Sequence, residues 1–152
     1  MKAAIEVQVA EAPDVDLGDV PSADLIRTWA ETALRSAKNS GGVCIRVVGR
    51  EEGRYLNAQF RKRDSATNVL AFPANGTLDT ELDLLGDIAI CAPVVCEEVP
   101  EASRRMRHWA HMVVHGVLHL LGHDHQTNDD ARRMGSCEAS ILTDLGFPSP
   151  TA

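Results

Sequence analysis

The chemistry of this chain is concentrated in one stretch, His115-Gly-Val-Leu-His119-Leu-Leu-Gly122-His-Asp-His125, and all six histidines lie between residues 108 and 125. Residues four apart in an α-helix lie on the same face, so His115 and His119 can bind one metal ion. Gly122 is suited to end that helix in a left-handed turn. The chain can then turn back, and we predict His125 as the third ligand.

Three imidazoles without a fourth protein ligand describe an open metal site. Structural zinc sites normally have four protein ligands, whereas a site with three leaves a position for water or substrate. A ladder of His111, His115 and His119 is the rival arrangement. It spans about 12 Å at 1.5 Å per residue, too far for one ion. The spacing therefore favours a catalytic site with His125 as the third ligand over a metal-free helix rich in histidine.

The other histidines of the region are predicted to lie outside the ligand set. We interpret His108 and His111 as partly buried or surface side chains, and His123 as a loop side chain. Asp124 has two open interpretations, because it could orient a ligand imidazole or only shape the turn.

The same ligand spacing occurs in the metzincin proteases, whose motif is H-E-x-x-H-x-x-G-x-x-H. In those enzymes the residue after the first histidine is a glutamate that acts as general base. Here that position is Gly116. The ligands are kept while the base is missing, so peptide hydrolysis is the weaker hypothesis.

Length and composition predict one globular domain over residues 1–152. Hydrophobic residues make up 44% of the chain and charged residues 24%, which is ordinary globular usage. No apolar run approaches the ~20 residues that span a bilayer, and charge interrupts the N-terminus too early for a signal peptide. The four cysteines form no C-x-x-C pair and are interpreted as buried free thiols. We therefore expect a cytoplasmic protein without a membrane partner.

The charge distribution separates an acidic whole from local basic groups. The net charge is −7, which argues against indiscriminate binding to nucleic acid. Cationic side chains nevertheless cluster in two groups. These are Arg46, Arg50, Arg54, Arg61, Lys62 and Arg63, and then Arg104, Arg105 and Arg107. Either a positive groove beside the histidines or solvated faces would explain them.

Hydrophobic periodicity predicts an α+β fold with a small mixed sheet of about four strands, helices packed on it and the three-histidine site at the end of a core helix. The predicted strands are 4–10, 43–49, 69–72 and 84–91. The predicted helices are one capped by Ser22 and ended by Gly41-Gly42, one over 51–62 with Tyr55, Leu56 and Phe60 as apolar positions, one beginning between Val94 and Ala102 and running through His119, and one capped by Asn128 or Asp129.

Several separated blocks resemble the YbeY family of bacterial rRNA maturation factors. Besides the histidine run, these blocks are Leu56-Asn-Ala-Gln-Phe-Arg61-Lys-Arg-Asp64, Thr67-Asn-Val-Leu-Ala-Phe-Pro73, Leu85-Gly-Asp-Ile88 and, in the last helix, Met134, Glu138, Ile141, Leu142 and Gly146. The resemblance covers roughly residues 56 to 146. Asn68 stands where the family commonly has Asp, and it keeps hydrogen-bonding capacity but lacks the carboxylate.

The resemblance implies a metal-dependent endoribonuclease that acts on single-stranded RNA in rRNA processing, including maturation of the 16S rRNA 3′ end, and in ribosome quality control. It implies one zinc ion as cofactor, although three imidazoles also accept other divalent transition metals. Arg61 matches the family's functional arginine, and an arginine can stabilise phosphate charge by forked hydrogen bonds. The implied partners are the small ribosomal subunit and the GTPase Era, and no DNA is expected. A ribosome-assembly binding factor with a mainly structural metal is the alternative.

Overall fold

The computed structural model describes residues 4–61, 67–74, 84–123 and 127–147, except the side chains of residues 60 and 61. Within these ranges the chain forms the predicted α+β fold, with helices packed on a four-stranded sheet. The elements in chain order are β1 (Ile5–Val9), a 3₁₀ turn (Leu17–Asp19), α1 (Ala23–Ser36), β2 (Gly42–Val48), α2 (Arg50–Arg61), β3 (Val69–Pro73), β4 (Leu84–Cys91), α3 (Ala92–Glu98), α4 (Ala102–Leu120) and α5 (Asn128–Asp144).

The sheet is mixed and has the strand order β1-β2-β4-β3. The pairs β1–β2 and β2–β4 are parallel, and β3 is antiparallel to β4 at the edge. Side chains alternate between the two faces of a strand. Ile45 pairs with Ile88 across β2 and β4, and both side chains are almost fully buried. These β-branched residues build the face of the sheet that forms the main core.

Helices α1 and α4 cover that core face, and the largest buried side chain of the region is Trp109 on α4. Helix α2 lies on the other face, where Gly53 approaches Cys91 and Val48. Among the described helices, none is both long and apolar enough to cross a membrane.

Helix α4 lies unusually close to the sheet at Gly116. A Cβ added at this buried position would lie 2.9 Å from Cγ2 and 3.0 Å from Cδ1 of Ile88. A side chain of any size would push the helix away from β4. Glycine therefore sets the depth at which the neighbouring His115 is held above the sheet.

Two predicted helix boundaries are wrong for local reasons. Helix α1 ends at Ser36 rather than at Gly41-Gly42, because the chain turns at Lys38, which adopts the left-handed φ of 54°. The amide of Asn39 closes that turn by donating to the Leu34 carbonyl at 2.9 Å. Helix α5 is capped by Thr127, one residue before the predicted caps, since the Thr127 hydroxyl accepts from the Asp130 amide at 3.0 Å.

The predicted helix through His119 is confirmed as α4, which begins at Ala102 within the predicted range, and a separate helix, α3, precedes it. Helix α3 begins at Ala92, so Pro93 lies in its first turn and does not merely end the strand. Proline fits there because a first-turn amide has no helical partner. Val99 has an extended φ of −134° before Pro100, a conformation that proline favours in the preceding residue. The break lets α4 start afresh at Ala102.

The predicted apolar face of α2 is also wrong in part. Tyr55 is 62% exposed, whereas the buried positions of this helix include Gly53 and Asn57. Leu56 is partly buried, and the side chain of Phe60 lies outside the described residues. An apolar residue in a helix therefore does not by itself tell which face of that helix packs on the sheet.

Candidate metal centre

The last turns of α4 bring two imidazoles together, as the spacing predicts. Nε2 of His115 lies 3.0 Å from Nε2 of His119, and the ring centroids are 4.5 Å apart. The helix then ends at Leu120 with Leu121 as its C-cap, and Gly122 adopts the expected positive φ of 100°. The amide of His123 donates to the Leu118 carbonyl at 3.0 Å, which closes the turn directly beside the imidazoles.

The second nitrogen of His119 is held by the turn that follows the helix. Its Nδ1 lies 3.0 Å from the backbone carbonyl of His123. A carbonyl can only accept, so this contact assigns the ring proton to Nδ1. The lone pair of the neutral ring is then on Nε2, which faces His115.

Glu138 of α5 contacts two histidines of α4 with its two carboxylate oxygens. Oε2 is hydrogen-bonded to Nδ1 of His115, and Oε1 lies 3.1 Å from Nε2 of His111. The Glu138 side chain is 13% exposed. Burial by itself raises the pKa of this carboxyl, but the hydrogen bonds from His111 and His115 outweigh it and lower the pKa to about 2. Glu138 is therefore ionised wherever the protein is folded near neutral pH.

The paired Nε2 atoms fit the geometry of a transition-metal ion. Two nitrogens bound tetrahedrally at 2.0–2.1 Å from one zinc ion lie about 3.3 Å apart. The observed separation of 3.0 Å is close to that value. Neutral imidazole nitrogens are also the donors that zinc and its neighbours in the periodic table prefer.

A second grouping with metal-binding chemistry overlaps the first. One ligand atom from each of His111, His115 and Glu138 lies within 4.8 Å of the other two. The two groupings share His115, whose Nδ1 contacts Glu138 and whose Nε2 lies beside His119. Metal binding by this end of α4 is therefore consistent with the described geometry, whichever grouping holds the ion.

The remaining predicted site residues lie outside the described part of the chain or have no described side chain, and two histidines predicted not to be ligands have other partners. His125 and Asp124 lie outside the described residues. Arg61 is the last residue of α2, and its side chain is not described. His123 contributes its carbonyl to His119, and His108 lies 2.8 Å from Oε1 of Glu98.

Asn68, the position where the family commonly has Asp, contacts the same Glu98 that contacts His108. Its amide nitrogen lies 3.2 Å from both carboxylate oxygens of Glu98, and its side-chain oxygen accepts from the Val69 amide at 2.7 Å. An amide donates to Glu98 where a carboxylate would repel it. Asn68 is therefore a structural partner of Glu98 in this chain.

Sequence reasoning gave Glu138 no role, although the residue was among the positions that carried the family resemblance. It is 23 residues from His115 in the sequence. The available signal is the helical pattern of α5. It places position 138 on the same face as the buried Met134, Ile141 and Leu142.

The mixed sheet, the helix that ends in two converging imidazoles and the carboxylate behind them define an α+β protein with a histidine-based candidate metal centre. Comparison with known proteins gives the family. The family model described as "Endoribonuclease YbeY" matches residues 13–146. The chain belongs to this family of endoribonucleases.

Curated relatives agree over most of their length. An "Endoribonuclease YbeY" of Cellvibrio japonicus (strain Ueda107) is 47% identical over 133 residues, which are 86% of this chain and 75% of that protein. One of Stutzerimonas stutzeri (strain A1501) is 46% identical over 138 residues, which are 89% of this chain and 86% of that protein.

The fold has a solved counterpart. The solution structure of TM1509 from Thermotoga maritima superimposes with a TM-score of 0.56 at 22% identity, covering 93% of this chain and 91% of that chain. At this identity the likeness supports the architecture of the sheet and helices.

Proposed function

We propose that this chain is a zinc-dependent endoribonuclease that cleaves single-stranded RNA, with His115, His119 and His125 holding one ion. The observation that carries the proposal is the 3.0 Å approach of the His115 and His119 Nε2 atoms at the end of α4. The family match over residues 13–146 supports one endoribonuclease domain for the chain.

The metal would supply Lewis acidity to a phosphoryl oxygen and a lowered pKa for a coordinated water. The chain's own residues bind and orient. The three histidines would leave an open position toward the substrate, and Arg61 would stabilise the charge that develops on the phosphate through forked hydrogen bonds. Arg61 is assigned this role from its sequence match and its place at the end of α2.

The peptidase alternative loses support at Gly116. In the metzincin motif a glutamate base occupies the position after the first histidine. Here that position is buried against Ile88, where even a Cβ would approach to 2.9 Å. A glutamate has no room in this packing, so the site is built without that base.

The biological setting of the proposal follows the family. We assign the chain to rRNA processing, including maturation of the 16S rRNA 3′ end, and to ribosome quality control in the cytoplasm. The small ribosomal subunit and the GTPase Era are the proposed partners. A largely acidic protein needs a localised basic surface for such binding, and the arginines of α2 are the candidates.

Cleavage of a labelled single-stranded RNA by rigorously repurified protein tests the proposal. The parent, His119→Ala and Arg61→Ala are assayed side by side, and zinc content is measured on every sample. We expect activity and one zinc per chain in the parent, neither in His119→Ala, and zinc without activity in Arg61→Ala. Arg35→Ala, at an exposed position of α1 outside the basic groups, is the matched control and should resemble the parent.

Two results would overturn parts of the proposal. Equal residual cleavage by the parent and His119→Ala would indicate a contaminating ribonuclease. If Arg61→Ala then still supported ribosome maturation, a binding factor with a structural metal would become the better description.

A further inference from the structure

We propose that Glu138 is the positioning residue of the metal centre, because its carboxylate holds the His115 imidazole with the proton on Nδ1 and the Nε2 lone pair directed toward His119. This inference rests on the proposed function, which places the ion on His115 and His119. It concerns a residue that lies on a different helix from both ligands.

The two contacts of Glu138 fix the carboxylate in place. His111 and His115 lie one helical turn apart on α4, and each binds one oxygen of the same carboxylate. A carboxylate held at both oxygens cannot rotate away from His115. Since the side chain is 13% exposed, water competes little for these contacts.

The chemistry of the contact sets the tautomer of His115. An ionised carboxylate can only accept a hydrogen bond, so Nδ1 of His115 is the donor. A ligand imidazole whose second nitrogen donates to a carboxylate is oriented and made more basic by it. His119 has the corresponding arrangement, with the His123 carbonyl as the acceptor at 3.0 Å.

Together these two acceptors create a site for a cation. With both protons on Nδ1, the Nε2 lone pairs of His115 and His119 face each other across 3.0 Å. Two lone pairs at that distance repel unless a positive charge lies against them. Glu138 thus prepares His115 for the metal from the side of the ring opposite the ion.

The rival arrangement makes Glu138 a direct ligand, together with His111 and His115. It would place the ion on His111 and Glu138 as well as His115 and leave His119 without a role. The two arrangements predict different losses. Removing a positioning carboxylate typically costs 10–100-fold in metal affinity, whereas removing a direct ligand costs more.

Zinc affinity, measured by competition with a chromophoric chelator, separates them. We expect Glu138→Ala to bind zinc about 10–100-fold more weakly than the parent. Glu138→Gln should bind more tightly than Glu138→Ala, because the amide oxygen still accepts from Nδ1. Asp144→Asn removes an exposed carboxylate from the same helix and is the control for charge. A loss in Glu138→Ala as complete as in His115→Ala, with parental affinity in His119→Ala, would make Glu138 a ligand and overturn the proposal.

The tautomer of His115 gives a readout that needs no variant. Long-range ¹H–¹⁵N spectra of the zinc-loaded parent should show the proton on Nδ1, and a proton on Nε2 would overturn the inference. The failures are distinguishable. Parental zinc affinity in both His115→Ala and His119→Ala would contradict the metal centre itself. Loss in those two with full affinity in Glu138→Ala would contradict only the role of Glu138.

Discussion

Among the described residues, two carboxylates contact histidines of helix α4, one toward each end of the helix. Glu98 contacts His108 near the start of the helix at 2.8 Å, and Glu138 contacts His115 near its end. Glu98 is 40% exposed and Glu138 only 13%. The difference continues in the rings. The centroids of His108 and His111 are 6.4 Å apart, whereas those of His115 and His119 are 4.5 Å apart.

The comparison shows that neither a carboxylate contact nor helical spacing is enough to define a site. His111 and His115 also have the i, i+4 spacing, yet their centroids are 6.1 Å apart. At the end of α4, an acceptor holds Nδ1 of each ring, the Glu138 carboxylate for His115 and the His123 carbonyl for His119. The Nε2 atoms of the two rings therefore face each other.

Substituting one histidine toward each end of α4 should give the largest difference between the two ends, measured as zinc affinity. His115→Ala removes a proposed ligand and should lower zinc affinity by more than the ~100-fold limit of an indirect effect. His108→Ala removes one of the two side chains that contact Glu98 and should keep parental affinity. Chelator competition measures both. Equal losses would mean that the two ends of the helix are functionally alike.

A second test asks whether the close packing of α4 on the sheet at Gly116 distinguishes this end of the helix. Gly116→Glu forces a carboxylate toward Ile88 and should lower the free energy of unfolding by about 3 kcal/mol. Gly135→Glu, on α5, is the control because nothing lies within 4 Å of its added Cβ. Urea unfolding measures both. Unchanged stability in Gly116→Glu would show that α4 can move off the sheet without cost.

Acid should weaken the contact between Glu138 and His115 by protonating Glu138. Burial raises the pKa of this carboxyl, but its histidine hydrogen bonds lower it to about 2 from an ordinary value of 4.5. A depressed folded-state pKa stabilises the fold above the unfolded-state value and loses that contribution as pH falls from about 4.5 toward 2. The difference in unfolding free energy between metal-free parent and Glu138→Gln should therefore shrink over that range.

Glu98→Gln is the control, because it removes the carboxylate that contacts His108. Its effect on unfolding should be smaller, because an exposed pair contributes at most about 1 kcal/mol. If the parent and Glu138→Gln lost stability in parallel on acidification, the contact between Glu138 and His115 would be no more coupled to folding than the contact between Glu98 and His108.

The smallest effect concerns the start of α5, the helix that carries Glu138. Thr127→Ala removes the cap of the Asp130 amide and should cost about 1 kcal/mol of stability. Zinc affinity should stay parental, since Glu138 lies three turns further along the helix. Thermal unfolding and chelator competition check the two parts. A marked loss of zinc affinity would show that the position of α5 depends on its cap.

Local features of this protein follow from its sequence alone. The i, i+4 histidines and the turn at Gly122 follow from helix geometry, and strands β2 and β4 follow from their short apolar runs, patterns that act over a few residues. These features were enough to predict the α+β fold and the imidazole pair. The exposed side of α2 was misjudged because the face a helix buries depends on what it packs against.

The support of the imidazole pair comes instead from packing between elements that are distant in the sequence. Glu138 reaches His111 and His115 because α5 packs on α4, and no short-range pattern relates residues on two different helices. Gly116 likewise gains its meaning from Ile88, a residue of the sheet. The spacing supplied the nitrogens, and the packing of α4 against β4 and α5 fixed which of them face each other.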